Sequence, residues 1–246
     1  MPVFALSLRE PRDAHPTAPI LEAEVGGASI VVMASAWGSW AGLEGEMPAA
    51  RAALATLRRE AKFAEANWER AMTRAFEAAN AAIGAIPESD NVEGFPSDSM
   101  LIAVVADADS IWIGWAGSLI AARIRGQRVV QHTVAHTLRA QAEQDSSVGA
   151  IDLEQHPEFA HIITRTLQGS PRAESNPELA RWDPLGPDER LLITSSGVFE
   201  LVRDRLPNPE LPDAAWLHAV LETDAGASDE QGRPRVRDRL GALVRR

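Results

Sequence analysis

His132 and His136 are spaced so that their imidazoles could bind a metal. They stand four residues apart, the spacing of two ligands on one helix face, and His156 or His161 offers a third nitrogen. The pair follows a strand-like run, however, and no glutamate completes a His-Glu-x-x-His arrangement. We therefore interpret both histidines as ordinary surface or loop residues, with a metal site as the alternative.

Ser195 and Ser196 are the candidates for nucleophilic chemistry. A nucleophilic serine needs a base within hydrogen-bond reach, and neither a Gly-x-Ser-x-Gly elbow nor an identifiable His or Asp partner is present. A strand-like run precedes the two serines, and a helix-like run follows Gly197. Because serine is a preferred N-cap residue, we expect a strand-to-helix turn with a serine cap.

Composition and charge exclude several classes of protein. The chain has 246 residues, of which 45% are hydrophobic and 24% charged, which is typical of a globular protein with a full core. Its net charge of −11 argues against nucleic acid as a partner. The absence of cysteine excludes disulfides, cysteine zinc sites and thiol nucleophiles.

No secretory signal or apolar run of about 20 residues appears in the sequence. We therefore expect a cytoplasmic protein with no membrane partner. Lys62 is the only lysine, which indicates a GC-rich and, in our interpretation, bacterial genome. We expect one domain over residues 1–246, with a mobile loop at 223–235 where Gly, Asp, Ser and Arg are concentrated.

Strand-like and helix-like runs come in blocks and pairs. Alternation, apolar spacing and turn residues predict strands at 3–8, 20–25, 29–34, 100–105, 110–115, 119–124, 127–132, 190–194 and 240–244. They predict helices at 46–62, 65–86, 137–144, 158–167, 198–205 and 212–222. The first three strands are interpreted as one edge of a sheet, and the four from 100 to 132 as an antiparallel meander. This grouping favours layers of the α+β class over a parallel βαβ sheet.

Eight segments, in this order, resemble the motifs of the PPM-type (type 2C) metal-dependent protein serine/threonine phosphatases: 9–14, 31–42, 75–83, 111–123, 132–137, 161–167, 185–202 and 237–246. The sharpest is LGPDERLLITSSGVFELV at 185–202, similar to pGDxLLLCSDGLxExV. The resemblance covers nearly the whole chain. It implies a four-layer αββα sandwich, in which two antiparallel sheets are flanked by helix pairs.

The same resemblance locates departures in the family's metal site. The family holds two Mg²⁺ or Mn²⁺ ions with carboxylates, and hard cations need several such oxygens. Ala34 and Ser35 replace its Asp-Gly pair, and Ser196 and Arg237 replace two further aspartates. A fourth aspartate position is Ser118. Carboxylates at matching positions remain only at two residues, Asp13 and Asp238.

Four residues near these positions have two interpretations each. Trp37 and Trp40 replace small residues of the metal loop, and we expect Trp37 to fill the vacated pocket and Trp40 to be exposed to a partner. Arg9 either contacts a phosphate, as the family's arginine does, or is solvated. Arg237 either pairs with Asp13 or Asp238 as a fixed cation or lies exposed in a loop.

Taken with the resemblance, these departures imply a pseudophosphatase with no catalytic residue and no cofactor. Its expected role is regulatory or scaffolding, through a protein partner such as a phosphoprotein or a serine/threonine kinase system. The alternative is a divergent serine/threonine phosphatase whose metal ligands are relocated or reduced in number.

Overall fold

The computed structural model describes residues 4–10, 19–36, 45–63, 66–86, 98–144, 153, 159–160, 162–170, 176–222 and 239–245. The predicted loop at 223–235 lies outside these residues. Each of the ten strands in this part of the chain pairs with its neighbours in antiparallel fashion: β1 (Phe4–Glu10), β2 (Ile20–Val25), β3 (Ala28–Ala36), β4 (Ser99–Ala106), β5 (Ile111–Ala116), β6 (Leu119–Arg125), β7 (Arg128–His132), β8 (Glu178–Trp182), β9 (Glu189–Ser195) and β10 (Arg239–Arg245). Its helices are α1 (Glu46–Glu60), α2 (Trp68–Gly84), α3 (Leu138–Gln144), α4 (Ser196–Val202) and α5 (Asp213–Glu222).

The strands form two five-stranded sheets. The first sheet has the order β1-β10-β9-β6-β7, and the second has the order β2-β3-β4-β5-β8. Because side chains alternate along a strand, each inner strand supplies two cores. In β3, Val31 and Met33 face the first sheet, whereas Ile30 and Val32 face the helices.

Helices cover both outer faces. The apolar side of α2, with Met72 and Phe76, packs with α1 against the second sheet. Helices α4 and α5 pack against the first sheet, where Trp216 is fully buried beside Leu192. The predicted αββα sandwich is thereby confirmed. Among the described residues, no helix combines the length and the apolar character needed to cross a bilayer.

Trp112 and Trp115 show how side chains alternate along β5. Three positions apart on one strand, they must lie on opposite faces of the sheet. Trp115 lies in the core between the sheets, and Trp112 packs on the side of α1 and α2.

Three predictions about the elements are corrected, and one strand was missed. The first three strands are not one edge, because β1 pairs with β10 in the first sheet while β2 and β3 belong to the second. The meander is divided, since the chain passes from the second sheet to the first between β5 and β6. Residues 162–167 are not helical but form isolated bridges at Ile163 and Leu167. Strand β8, which pairs with β5, was not predicted.

Candidate functional site

Several strand ends that carry the family-like motifs meet at one end of the sandwich. In the second sheet, β3 ends where β4 begins, with Ser35 opposite Met100, and β5 ends beside the start of β4. In the first sheet, β6 begins opposite the end of β9, with Leu119 opposite Ser195. Strand β10 also starts here, since Gly241 lies opposite Thr194 at the end of β9. We call this region, defined by Ser35, Ser118 and Ser196, the serine end.

Ala34 and Ser35 lie on opposite faces of β3. Ala34 is fully buried in the core under α1 and α2, and its register partner Leu101 lies in the same core. Ser35 is opposite Met100, whose side chain belongs to the core between the sheets. Strand alternation therefore places Ser35 on the inter-sheet side, and Ala34 away from it.

Met100 links the two sheets at the serine end. Its sulfur accepts hydrogen bonds from the hydroxyl of Ser118, at 3.2 Å, and from the backbone N–H of Ser118, at 3.4 Å. The carbonyl of Ser118 accepts the backbone N–H of Ser196 at 2.8 Å. The fold thus brings together Ser35, Ser118 and Ser196, three of the positions that the sequence singled out, around a thioether that the sequence analysis did not.

Ser195 and Ser196 occupy the predicted strand-to-helix turn. Ser195 is the N-cap of α4, and its hydroxyl accepts the N–H of Val198 at 3.5 Å. The prediction of a serine cap is confirmed, and Ser195 is the residue that provides it.

His136 supports the turn between β5 and β6 from behind. Its backbone N–H donates to the Gly117 carbonyl at 2.9 Å, and its Nδ1 accepts the Gly117 N–H at 3.0 Å. Since Nδ1 is the acceptor, the proton lies on Nε2, which donates to Oε2 of Glu178 at 2.9 Å. The ring also stacks on Trp115, with centroids 6.0 Å apart. Burial lowers the pKa of His136, and the hydrogen bond to Glu178 acts against that shift.

The two histidines of the HTVAH run do not form one site. His132 is exposed at the end of β7 and its ring meets Phe199, whereas His136 is buried. The interpretation of both as surface or loop residues holds, since His132 is exposed and His136 lies in a loop, but it did not anticipate that His136 is buried. His156 and His161 lie outside the described residues. Sequence spacing alone gave no sign of the Gly117 contact.

Asp98 is a carboxyl group immediately before β4, close to Ser99 at the serine end. Its Oδ2 accepts the hydroxyl of Thr166 at 3.2 Å. Its Oδ1 is buried and has no hydrogen-bond partner among the described residues. Burial raises the pKa of Asp98, and the Thr166 hydroxyl opposes that shift.

A cavity of about 490 Å³ opens beside Ser196, between α3 and α4. Ile120 and Phe199 form part of its apolar wall. Its charged side is lined by Arg139 and Arg203 and by two glutamates, Glu143 and Glu200. Arg203 is paired with Glu200 at 3.4 Å, so the charges of this wall are largely balanced.

Among the described residues, Ser35, Ser118, Ser196 and Met100 do not supply the donor set of a pair of hard cations. Mg²⁺ and Mn²⁺ favour carboxylate, carbonyl and water oxygens, whereas these side chains supply hydroxyls and a thioether. Asp98 adds a carboxyl group just before β4. No three His, Asp or Glu side chains gather as metal ligands within the described ranges. The chemistry of these groups points to packing and hydrogen bonding.

Five of the predicted site residues lie outside the described residues: Asp13, Trp37, Trp40, Arg237 and Asp238. Arg9 is placed by its backbone, opposite Leu240 in the β1–β10 ladder. The interpretations of these six side chains remain predictions.

The two antiparallel sheets and their flanking helices match the fold of solved PPM-type serine/threonine phosphatases. No protein-family model and no curated protein matches the sequence. Among solved structures, the S. agalactiae serine/threonine phosphatase aligns over 99% of this chain and 98% of its own, with a TM-score of 0.72 and 18% identity. Stp1 from Staphylococcus aureus aligns over 98% and 93%, with a TM-score of 0.73 and 15% identity.

A third neighbour corrects the cofactor prediction. The catalytic domain of the phosphatase PstP aligns over 98% of this chain and 96% of its own, with a TM-score of 0.66 and 21% identity, and was solved in complex with two manganese ions. The expectation of no cofactor is contradicted by this complex, because the fold itself accommodates metal ions. Mn²⁺ therefore belongs in every activity measurement on this chain.

Proposed function

We propose that this chain is a phosphatase-like protein that lacks phosphatase activity and acts as a regulatory or scaffolding protein by binding another protein. The partner class that we propose is a phosphoprotein or a component of a serine/threonine kinase system. The proposal combines the PPM fold with the side chains present where the strand ends converge.

The observation that carries the proposal is the Met100–Ser118–Ser196 connection. The Met100 thioether accepts the Ser118 hydroxyl, and the Ser118 carbonyl accepts the backbone N–H of Ser196, so the groups described at this end are neutral. Hydrolysis of a phosphoester requires a strong nucleophile and compensation of the charge that develops on the phosphoryl oxygens. A thioether and neutral serine hydroxyls supply neither.

The direct test is turnover of an aryl phosphate and of a phosphopeptide, measured with and without millimolar Mn²⁺. We expect rates equal to buffer in both conditions. Turnover that survives repurification and disappears in Ser196→Ala and Ser118→Ala variants would contradict the proposal. Ser170→Ala, outside the serine end, is the matched control.

Binding is tested separately by capture from the native host, comparing the wild-type chain with Trp40→Ala and Arg9→Ala. Both residues are proposed partner contacts. We expect each variant to recover less of the same partner while its unfolding midpoint stays within a degree or two of wild type. Equal recovery by all three proteins would remove these residues from the proposed contact.

Asp98 favours a second candidate, a divergent phosphatase with relocated ligands. Its buried Oδ1 lacks a partner among the described residues, and a carboxylate is the group that the serine positions do not supply. If this candidate holds, the chain should show Mn²⁺-dependent turnover that Asp98→Asn abolishes. The same assay thus separates the two functions.

A further inference from the structure

A cavity of about 690 Å³ lies at the other end of the second sheet, far from the serine end. It is enclosed by the β2–β3 turn, the β4–β5 turn and the segment between α1 and α2. Ala28 lines it, and Ser35 is seven residues further along the same strand, so the two ends are separated by about 23 Å. This cavity is therefore independent of the proposed function.

Three aromatic side chains contribute to its wall. Phe63 is 62% exposed, the highest value among the large apolar side chains of the described residues. Trp68 and Trp112 lie in the same wall, and the Arg181 guanidinium covers the Trp112 ring at 5.7 Å from its centroid. A guanidinium over an indole is a favourable contact, so this surface already accepts one cation from the chain itself.

The charged groups of the wall are mainly acidic. The lining residues include three acidic ones, Glu69, Asp107 and Asp109, and one basic one, Arg181. Glu69 and Asp109 are exposed, and neither forms an ion pair within the part of the chain that the structure describes. The wall therefore carries uncompensated negative charge beside exposed aromatic surface.

Asp107 makes the wall rigid without losing its charge. Its Oδ2 accepts the Trp68 indole N–H at 2.9 Å, and its Oδ1 accepts the backbone N–H groups of Asp109 and Ser110 at 2.9 and 2.8 Å. All of these donors are neutral, so the carboxylate is held in place but not neutralised. A preorganised wall of this kind loses little conformational entropy when a ligand binds.

We propose that this cavity, which we call the aromatic-acidic pocket (Phe63, Trp68, Glu69, Asp107, Asp109 and Trp112), binds a basic segment of a partner protein. The segment would place an arginine beside Glu69 and Asp109 and an adjacent apolar side chain on Phe63. Charge complementarity selects this occupant, because an acidic or purely apolar segment would leave both carboxylates facing like charge or without a counterion.

The test uses a fluorescein-labelled peptide with two arginines flanking a leucine in a Gly/Ser background. Fluorescence anisotropy measures its binding to the full chain, with a peptide carrying glutamate in place of arginine as the control. We expect saturable binding of the arginine peptide that weakens as NaCl is raised from 50 to 300 mM. No binding up to millimolar protein, or equal binding of both peptides, would overturn the proposal.

Variants then locate the binding. Phe63→Ala and the double variant Glu69→Gln/Asp109→Asn should each weaken binding by about tenfold, as expected for an aromatic anchor and for paired charges. The matched controls are Val130→Ala, an exposed apolar residue on β7, and Glu77→Gln, an exposed residue on α2, and both should stay within twofold. Thermal unfolding confirms that every variant is folded. Equal weakening in controls and pocket variants would place the binding elsewhere and overturn the assignment.

Discussion

Gly117 and Met100 approach each other so closely that only a glycine fits between β5 and β6. A Cβ atom added at Gly117 would lie 2.4 Å from the Met100 Cγ, and the glycine has a φ of +106°. The contact joins the point where the chain changes sheets to the residue that binds Ser118. The serine end is therefore fixed by backbone geometry as well as by hydrogen bonds.

Gly117→Ala should destabilise the protein by at least about 2 kcal/mol, since it adds both a strained φ and a steric overlap with Met100. Gly126→Ala is the matched control. That glycine also has a positive φ, +60°, but its added Cβ would meet nothing within 4 Å. We expect Gly126→Ala to lower the free energy of unfolding by about 1 to 2 kcal/mol. Equal losses of unfolding free energy in urea titrations of the two variants would show that the Met100 contact contributes nothing.

His136 should make stability fall at mildly acidic pH. Burial lowers the pKa of His136 in the folded state, so the unfolded chain binds the proton more readily. The contribution to stability is complete above the ordinary histidine pKa of about 6.5 and is lost as the pH falls below it. Protonation also places a hydrogen on Nδ1, which accepts the Gly117 N–H.

The measurement compares urea unfolding at pH 7.5 and 5.5. His136→Gln should reduce the pH dependence by up to about 1.4 kcal/mol per pH unit, the limit for one proton. His132→Gln is the control, because His132 is an exposed histidine at the end of β7. If the two variants keep the same pH dependence as wild type, the neutral ring of His136 does not stabilise the turn.

Protonation of Glu189 should cause a separate loss of folding stability at more acidic pH. Burial acts to raise the pKa of Glu189, but the Gly186 N–H and the cations of Arg125 and Arg123 outweigh it, and the net shift is downward. Its Oε1 accepts Arg125 Nε at 3.0 Å, and its Oε2 accepts the Gly186 N–H at 2.8 Å. Because the folded pKa lies below the unfolded value near 4.5, this stability is present above pH 4.5 and is lost as the pH falls through the folded pKa.

Glu189→Gln should therefore cost about 1 to 3 kcal/mol at pH 7 and flatten the acid limb of the stability curve below pH 4.5. Asp188→Asn, the exposed neighbouring residue, is the control and should change stability by less than about 0.5 kcal/mol. Unfolding free energies between pH 3 and 7 distinguish the two. A parallel curve for Glu189→Gln and wild type would exclude this carboxylate as the titrating group.

Removal of the Asn80 side-chain amide should destabilise the folded protein. It is buried on α2, where its Nδ2 donates to the Ser170 carbonyl at 3.0 Å and its Oδ1 accepts the Gly169 N–H at 2.9 Å. Asn80→Ala leaves both backbone groups without these partners and should cost about 2 to 4 kcal/mol. Asn208→Ala, which removes one exposed hydrogen bond to Glu210, should cost less than about 1 kcal/mol. Comparable urea midpoints for the two variants would contradict this role.

The sequence alone determined most of the elements and, for Trp112 and Trp115, that the two side chains lie on opposite faces of one strand. The bounds of β2 were predicted without error, and the parity of Trp112 and Trp115 placed them in different cores, because a strand's alternation is a local property of the chain. The serine cap was also local, since an N-cap bonds to a backbone group three residues away.

Elements whose formation depends on a distant partner were not predictable. Strand β8 has only five residues, and it is a strand because β5 offers an edge. Residues near Ile163 and Leu167 have helical propensity, yet bridges to Thr137 and Ser99 keep them extended. Tertiary pairing outweighs a propensity of a few tenths of a kcal/mol per residue in such segments.

For the site, motif order identified Ala34, Ser35 and Ser196 as positions of interest, but only the tertiary structure decided how they are arranged. The pleat of β3 separates Ala34 from Ser35, and the sulfur of Met100 reaches Ser118 across 18 positions of sequence. The aromatic-acidic pocket has the same origin, because Gly27, Phe63 and Asp109 come from three segments that meet only when the second sheet and its helices pack. The sequence specifies which side chains are present. The distances between them are set when the strands and helices pack and bury the hydrophobic cores.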